Sequence, residues 1–132
     1  MSDLAEKIRQ KLTVDELVIL EQTLDRLSRF IGLTKDGRVL IKLDRTKMST
    51  RHLISLYAVG RYMAKQAGYL TEDIITIDEV TRELGVDGKV AAARIAELRR
   101  EGVLLGVERG QYRFNPSHIE RILAELEGYV SK

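Results

Sequence analysis

The sequence contains no cysteine, no tryptophan and a single proline, Pro116. Without cysteine the chain can form neither disulfide bonds nor thiolate metal sites, and the acidic residues lack the alternation of a calcium loop, so we expect no metal ion. No apolar run approaches the roughly 18 residues of a membrane span, and the first residues lack the apolar stretch of a secretory signal. These absences predict a cytoplasmic protein with no membrane partner.

Catalytic groups are also missing from the sequence pattern. Neither His52 nor His118 has a serine or carboxylate placed by sequence to complete a triad. The glycines of "DGK" and "ERGQ" do not form a phosphate-binding loop. We therefore expect no catalytic residue, no cofactor and no enzymatic activity.

The 132 residues are 44% hydrophobic and 32% charged, which is typical of one folded domain. The net charge of +2 is unevenly distributed. Residues 1–70 hold 13 Lys and Arg against 8 Asp and Glu, or +5, whereas residues 71–132 hold 9 against 12, or −3. Most of the positive excess lies in residues 34–51, "TKDGRVLIKLDRTKMSTR", a candidate surface for phosphate groups.

The strongest helical periodicity lies in residues 13–31, where Thr13 and Glu16 have the spacing of a capping box. The apolar positions of this helix follow one stripe, at Leu17, Leu20, Leu24, Leu27 and Ile31. The stripe fits two arrangements: packing on the chain's own core, or pairing with a second copy. After it, Asp36-Gly37 between short apolar stretches predicts a two-stranded ribbon at about 33–43.

From residue 49 onward the predicted order is helix, strand, helix, helix, hairpin, helix. Ser49 or Thr50 caps an apolar helix that ends at Gly68, and a short strand is expected at 74–76. The helix of "IDEVTRELG" leads through a tight turn into that of "DGKVAAARIAELRREG". Two strands then flank Arg109-Gly110, and "SHIERILAELEGYV" forms a final amphipathic helix.

Residues 50–116 resemble a winged helix-turn-helix domain of the kind found in small archaeal transcription regulators. The resemblance rests on "ITIDEVTRELGVDGKVAAARIAELRREGVL", where "ELGV" enters the turn and "IAELRREGVL" runs from the second helix into the wing. It implies a mainly α fold with small β-hairpins in two parts. Residues 1–48 form an N-terminal helix with a basic β-hairpin extension, and residues 49–132 form the winged domain with its C-terminal helix.

The resemblance also implies double-stranded DNA as the partner, with the second helix in a major groove and the hairpin tip on the backbone. The face offered to bases is mostly apolar, so we expect modest specificity. The candidate DNA-binding residues are Lys89, Val90, Ala93, Arg94, Arg109, Gln111 and Arg113, with Lys35, Arg38, Lys42, Arg45, Lys47 and Arg51 from the basic segment. A different class of function stays open, in which the smooth "KVAAAR" face binds a protein partner.

A regulator of this kind is expected to be a homodimer, because half-sites on DNA mirror a two-fold axis. Either flanking helix could join the two copies. The candidate dimerisation residues are Leu17, Leu20, Leu24, Leu27 and Ile31 on the first helix, and Ile119, Leu123 and Leu126 on the last.

Overall fold

The structure is a computed structural model that describes residues 2–130, apart from the side chains of Ser2 and Glu16. The chain is mainly helical. Its α-helices are α1 (Ser2–Leu12), α2 (Glu16–Leu27), α3 (Thr50–Gln66), α4 (Ile77–Leu84), α5 (Gly88–Arg100) and α6 (Ile119–Val130). Short 3₁₀ turns at Arg45–Lys47 and Pro116–His118 precede α3 and α6.

Two antiparallel hairpins accompany the helices. Strands β1 (Ile31–Leu33) and β2 (Val39–Ile41) pair with Ile31 opposite Ile41. Strands β3 (Leu104–Glu108) and β4 (Gln111–Phe114) pair with Leu104 opposite Phe114, with an irregularity before Glu108. The predicted strand at 74–76 is a single bridge, Ile75 to Tyr112, that lays this segment beside β4.

Helix α3 is the centre of the fold, and its sequence explains why. Ser49, one of the two predicted caps, starts the helix by accepting a hydrogen bond from the backbone N–H of His52. From Leu53 to Ala64 nearly every side chain is buried, so this helix is surrounded by other elements on most sides. Both hairpins and the helices α4, α5 and α6 pack against it.

The predicted helix at 13–31 was too long at both ends. It begins at Glu16 with Asp15 as its cap, since the Asp15 carboxylate accepts from the backbone N–H of Leu17. Thr13 is therefore not the capping residue, and the Glu16 side chain of the proposed box lies outside the described residues. The helix ends at Leu27, and Ile31 belongs to β1. Helix α1 precedes it and was not predicted.

The apolar stripe of α2 serves mainly the chain's own core. Leu20, Leu27 and Ile31 are buried because α2 packs on α6 and leads directly into β1. On α6, the three candidate dimerisation residues Ile119, Leu123 and Leu126 are fully buried as well. Assigning these six to a dimer interface was therefore wrong. Leu17 and Leu24 alone of the eight candidates are exposed.

The helix pair α2 and α6 is also joined by charge. The Arg26 guanidinium donates to the Glu120 carboxylate at 2.8 Å and to Glu127 at 2.7 and 3.0 Å. These contacts fix the N-terminal helix of the core on the C-terminal one. Among the described residues, no helix has the length and apolar composition to cross a membrane.

Candidate nucleic-acid interface

Helices α4 and α5 are joined by a tight turn whose residues suit it. The Thr76 hydroxyl accepts from the backbone N–H of Glu79 and starts α4, and Gly85 ends it with a left-handed backbone at φ 65°. Asp87 then starts α5 by accepting from the backbone N–H groups of Lys89 and Val90. Three residues, 85–87, thus separate the two helices, and the Asp87 cap marks where the second begins.

The two faces of α5 differ sharply. Ala91, Ile95 and Leu98 are fully buried against the core, as their spacing predicted. The opposite face is open to solvent and carries small or apolar side chains between two cations, namely Lys89, Val90, Ala93, Ala96 and Arg100. This face is flat enough to approach another macromolecule closely.

Arg94 does not belong fully to that open face. Its guanidinium lies 3.0 Å from the Glu97 carboxylate three residues later, which partly neutralises it. Arg99 points towards the hairpin, where its guanidinium lies 2.9 Å from the position that a β-carbon on Gly106 would occupy. A side chain at position 106 would therefore have to displace the end of the Arg99 side chain.

Of the two arginines that the β3–β4 hairpin was predicted to offer to DNA, one is unpaired and the other is paired with a carboxylate. Arg109 lies exposed at the tip next to Gly110, whose φ is 76°. Arg113 instead lies 3.2 Å from the carboxylate of Asp73, which is only 2% exposed, and Lys65 approaches the same carboxylate at 3.7 Å. Gln111 is half-buried beside the tip.

The basic segment 34–51 lies against α3 and the end of α4, and several of its cations are already engaged. Lys42 donates to the Ser28 carbonyl at 2.8 Å, and Arg45 donates to the Leu84 carbonyl. Arg51 forms a paired contact with Glu101 at 2.7 and 2.9 Å. Within the described residues, the side chains of Lys35, Arg38 and Lys47 have no hydrogen bond or ion pair and are exposed.

Two residues of this region were not foreseen from the sequence. Arg100 shares the open face of α5, and its spacing of seven from Ala93 and eleven from Lys89 would have revealed it. Asp73 is the buried anchor of Arg113, yet it stands in the polar loop "YLTED", where composition predicts exposure. No local pattern marks a carboxylate that tertiary packing buries.

Hydrogen bonds from the Arg51 guanidinium, with the nearby charge of Arg121, lower the pKa of Glu101. Burial, and a hydrogen bond donated to Glu79, raise the pKa of Tyr57. No group of three or more His, Cys, Asp or Glu side chains suited to a metal ion occurs in the part of the chain that the structure describes.

The chain was compared with protein-family models, with curated proteins and with solved structures, and none of the three comparisons yields a match.

Proposed function

We propose that this protein binds double-stranded DNA through a winged helix-turn-helix formed by α3, α4, α5 and the β3–β4 hairpin. The element order supports this assignment, since two helices joined by a three-residue turn precede a hairpin, and Ile75 forms a single bridge to Tyr112 of β4. Helix α5 would lie in the major groove with its N-terminal end nearest the bases.

One observation carries the proposal: the open face of α5 is smooth and is bordered by unpaired cations. Lys89 lies at one end of this face and Arg100 at the other, and Arg109 is exposed at the tip of the hairpin that follows α5. Small side chains between the cations allow the helix to approach the floor of a groove, and the cations meet phosphates. The Glu97 carboxylate at the edge of the face is neutralised by Arg94.

Sequence specificity should be modest. Val90, which is 41% exposed, and Ala93 offer methyl groups that can contact thymine methyls, but neither forms the two hydrogen bonds that distinguish one base pair from another. Affinity would therefore come mostly from phosphates, with Lys35 and Lys47 of the basic segment as further contacts. A role in transcription regulation follows from the resemblance of residues 50–116.

We further propose that the protein is a homodimer joined by α1 and α2 rather than by the buried residues of α2 and α6. Leu4, Ile8 and Leu12 form an exposed stripe along α1, and Leu17 and Leu24 are exposed on α2. The α1 stripe is bordered by cations at Lys7, Arg9 and Lys11, whereas the exposed face of α2 carries Glu21 and Asp25. Because opposite charges surround the two apolar faces, they favour an arrangement in which α1 of one copy packs against α2 of the other.

The test of DNA binding is a fluorescence-anisotropy titration with a labelled random-sequence duplex at low and physiological salt. We expect a dissociation constant on the order of 10⁻⁴ to 10⁻⁶ M at physiological salt, with tighter binding at low salt, because released counterions provide the free energy. No binding at low salt would refute the proposal. The open α5 face would then be assigned to a protein partner, because its centre is apolar.

A further inference from the structure

An open cleft lies between the β1–β2 hairpin and the helices α3 and α4, away from the open face of α5. Its volume is about 460 Å³, within the range of small-molecule sites. Arginines from three elements line it: Arg38 from the hairpin, Arg45 from the 3₁₀ turn and Arg61 from α3. The DNA-binding proposal does not use this cleft.

Two carboxylates, those of Asp36 and Glu83, also line the cleft, but within the described residues neither forms an ion pair with Arg38 or Arg45. Asp36 accepts a hydrogen bond from the Thr34 hydroxyl, although it also lies within Coulombic range of Arg38, and Glu83 lies 3.6 Å from Arg82. Arg61 has its own partner, since its Nε lies 3.3 Å from Glu79.

Arg38 and Arg45 are the cations left over. The Arg38 guanidinium has no hydrogen bond or ion pair among the residues that the structure describes. Arg45 donates only to a backbone carbonyl, that of Leu84, and to no carboxylate. Two guanidiniums without carboxylate partners, on neighbouring segments of one cleft, form a site for an anion.

Apolar side chains form another part of the lining, beside the carboxylates of Asp36 and Glu83. Leu40, Leu70 and Leu84 line the cleft together with the arginines, and Leu40 is 49% exposed. Leu70 packs so closely on the hairpin turn that a β-carbon on Gly37 would overlap its side chain. This contact holds the turn and keeps the cleft in shape.

We infer that this cleft binds a small organic anion, with a carboxylate or phosphate held by Arg38 and Arg45 and an apolar portion against Leu40 and Leu70. Guanidiniums match both anions geometrically, and the apolar wall would exclude a bare inorganic ion as the preferred ligand.

Such a ligand would act on the turn between α4 and α5. Arg45 donates to the carbonyl of Leu84, the last residue of α4, and an anion in the cleft competes for the same guanidinium. Losing that hydrogen bond would loosen the segment that aims α5. This effect on DNA rests on the proposed function, whereas binding in the cleft does not.

The experiment is an NMR titration of the full chain, without DNA, using four probes: phenyl phosphate, benzoate, inorganic phosphate and phenol. We expect phenyl phosphate or benzoate to bind with a dissociation constant near or below about 1 mM, and the response of each shows which anion is preferred. Inorganic phosphate and phenol should bind at least about tenfold more weakly, because inorganic phosphate lacks the apolar portion and phenol lacks the anionic group.

Substitutions then locate the site. Arg38→Gln and Arg45→Gln should each weaken phenyl phosphate or benzoate binding about tenfold, since each removes a charge-assisted hydrogen bond. Arg109→Gln is the matched control, with the same change in charge at the hairpin tip, and should bind as the wild type does. Thermal melting checks that each variant is folded.

Three results would overturn the inference. The first is that no probe binds at 10 mM (roughly tenfold above the expected constant), and the second is that inorganic phosphate and phenyl phosphate bind equally. The third is that Arg109→Gln loses as much probe affinity as Arg38→Gln and Arg45→Gln. None of these results depends on whether the open α5 face binds DNA.

Discussion

At the scale of single residues, Arg109 and Arg113 differ although they lie four positions apart on one hairpin. Arg109 is exposed at the tip, whereas Arg113 lies 3.2 Å from a carboxylate that is almost completely buried. A guanidinium that compensates a buried carboxylate contributes to stability, and a free one is available to phosphate. The two arginines therefore have separable roles.

Replacing each with glutamine should separate them. Arg109→Gln should weaken binding to all duplex sequences and lower the salt slope by roughly 1, leaving the melting temperature unchanged. Arg113→Gln should lower the free energy of unfolding by about 1–3 kcal/mol, because Asp73 keeps only Lys65 as a charged neighbour. Duplex titrations at several salt concentrations and urea denaturation measure both quantities. Identical behaviour of the two variants would refute the distinction.

His52 makes stability depend on pH. Burial lowers its pKa, with the charge of Glu125 opposing this and that of Arg51 adding to it. The unfolded chain takes up a proton near pH 6.5, whereas folded His52 stays neutral until lower pH. The stability is therefore fully present above about pH 6.5 and declines as the pH falls towards the folded pKa.

We expect a lower free energy of unfolding at about pH 5.5 than at about pH 7.5, and His52→Gln should reduce that difference. The lowered pKa of Glu101 acts in a separate window, because its contribution is lost only as the pH falls below about 4.5. Urea denaturation at the two pH values measures the effect. If His52→Gln keeps the full difference in free energy of unfolding between the two pH values, another group causes that difference.

At the scale of elements, the sequence predicts best where caps and periodicity agree. Gly85 and Asp87 bound the α4–α5 turn, and the Asp36-Gly37 turn joins the first hairpin, as expected. The start of the first predicted helix was wrong because Thr13 and Asp15 are both residue types that cap helices, and the structure has Asp15 in that role. Helix α1 was missed although Leu4, Ile8 and Leu12 recur every fourth residue, a spacing that fits one face of a helix.

The contact between α3 and β2 can be tested with two glycines. A β-carbon on Gly60 would lie 2.5 and 2.7 Å from the Val39 methyl groups, whereas one on Gly128 in α6 meets nothing within 4 Å. Gly60→Ala should cost about 1–3 kcal/mol of stability by overpacking, and Gly128→Ala should add roughly 0.5–1 kcal/mol as helix propensity dictates.

Chemical denaturation measures both glycine substitutions. Adding Val39→Ala to Gly60→Ala should restore part of the lost stability, because it removes the methyl groups in the way. A stable Gly60→Ala protein would mean that β2 does not pack on α3 as described.

At the scale of the whole molecule, the ion pairs determine which charges are left unpaired on the surface, and the net charge of each half does not. The C-terminal half is net negative, but one of its carboxylates, Glu101, lies at the end of α5 opposite Lys89. There it forms ion pairs with Arg51 and Arg121. The open face of α5 is left with little opposing charge. The net charge of each half can be counted from the sequence, but which cations stay unpaired depends on tertiary contacts.

The dimer proposal is tested by its exposed apolar residues. Leu4→Gln with Leu12→Gln should convert the dimer into a folded monomer, because both side chains are exposed within one chain. Leu105→Gln, on the outer face of β3, is the control and should stay dimeric. Light scattering at about tens of micromolar measures the mass. A monomeric wild-type protein at that concentration would contradict the proposal.

The measurement that tests the central claim most directly is duplex binding by Ala93→Glu beside Ala124→Glu. Both alanines are exposed on helices, on α5 and α6 respectively, so the two variants change net charge equally without touching the core. If α5 enters a groove, a carboxylate at position 93 faces phosphates and base acceptors. Binding of a random-sequence duplex should then fall at least about tenfold in Ala93→Glu and stay near the wild-type value in Ala124→Glu, with unchanged melting temperatures. Equal duplex affinities in the two variants would show that the open face of α5 is not where this protein meets DNA.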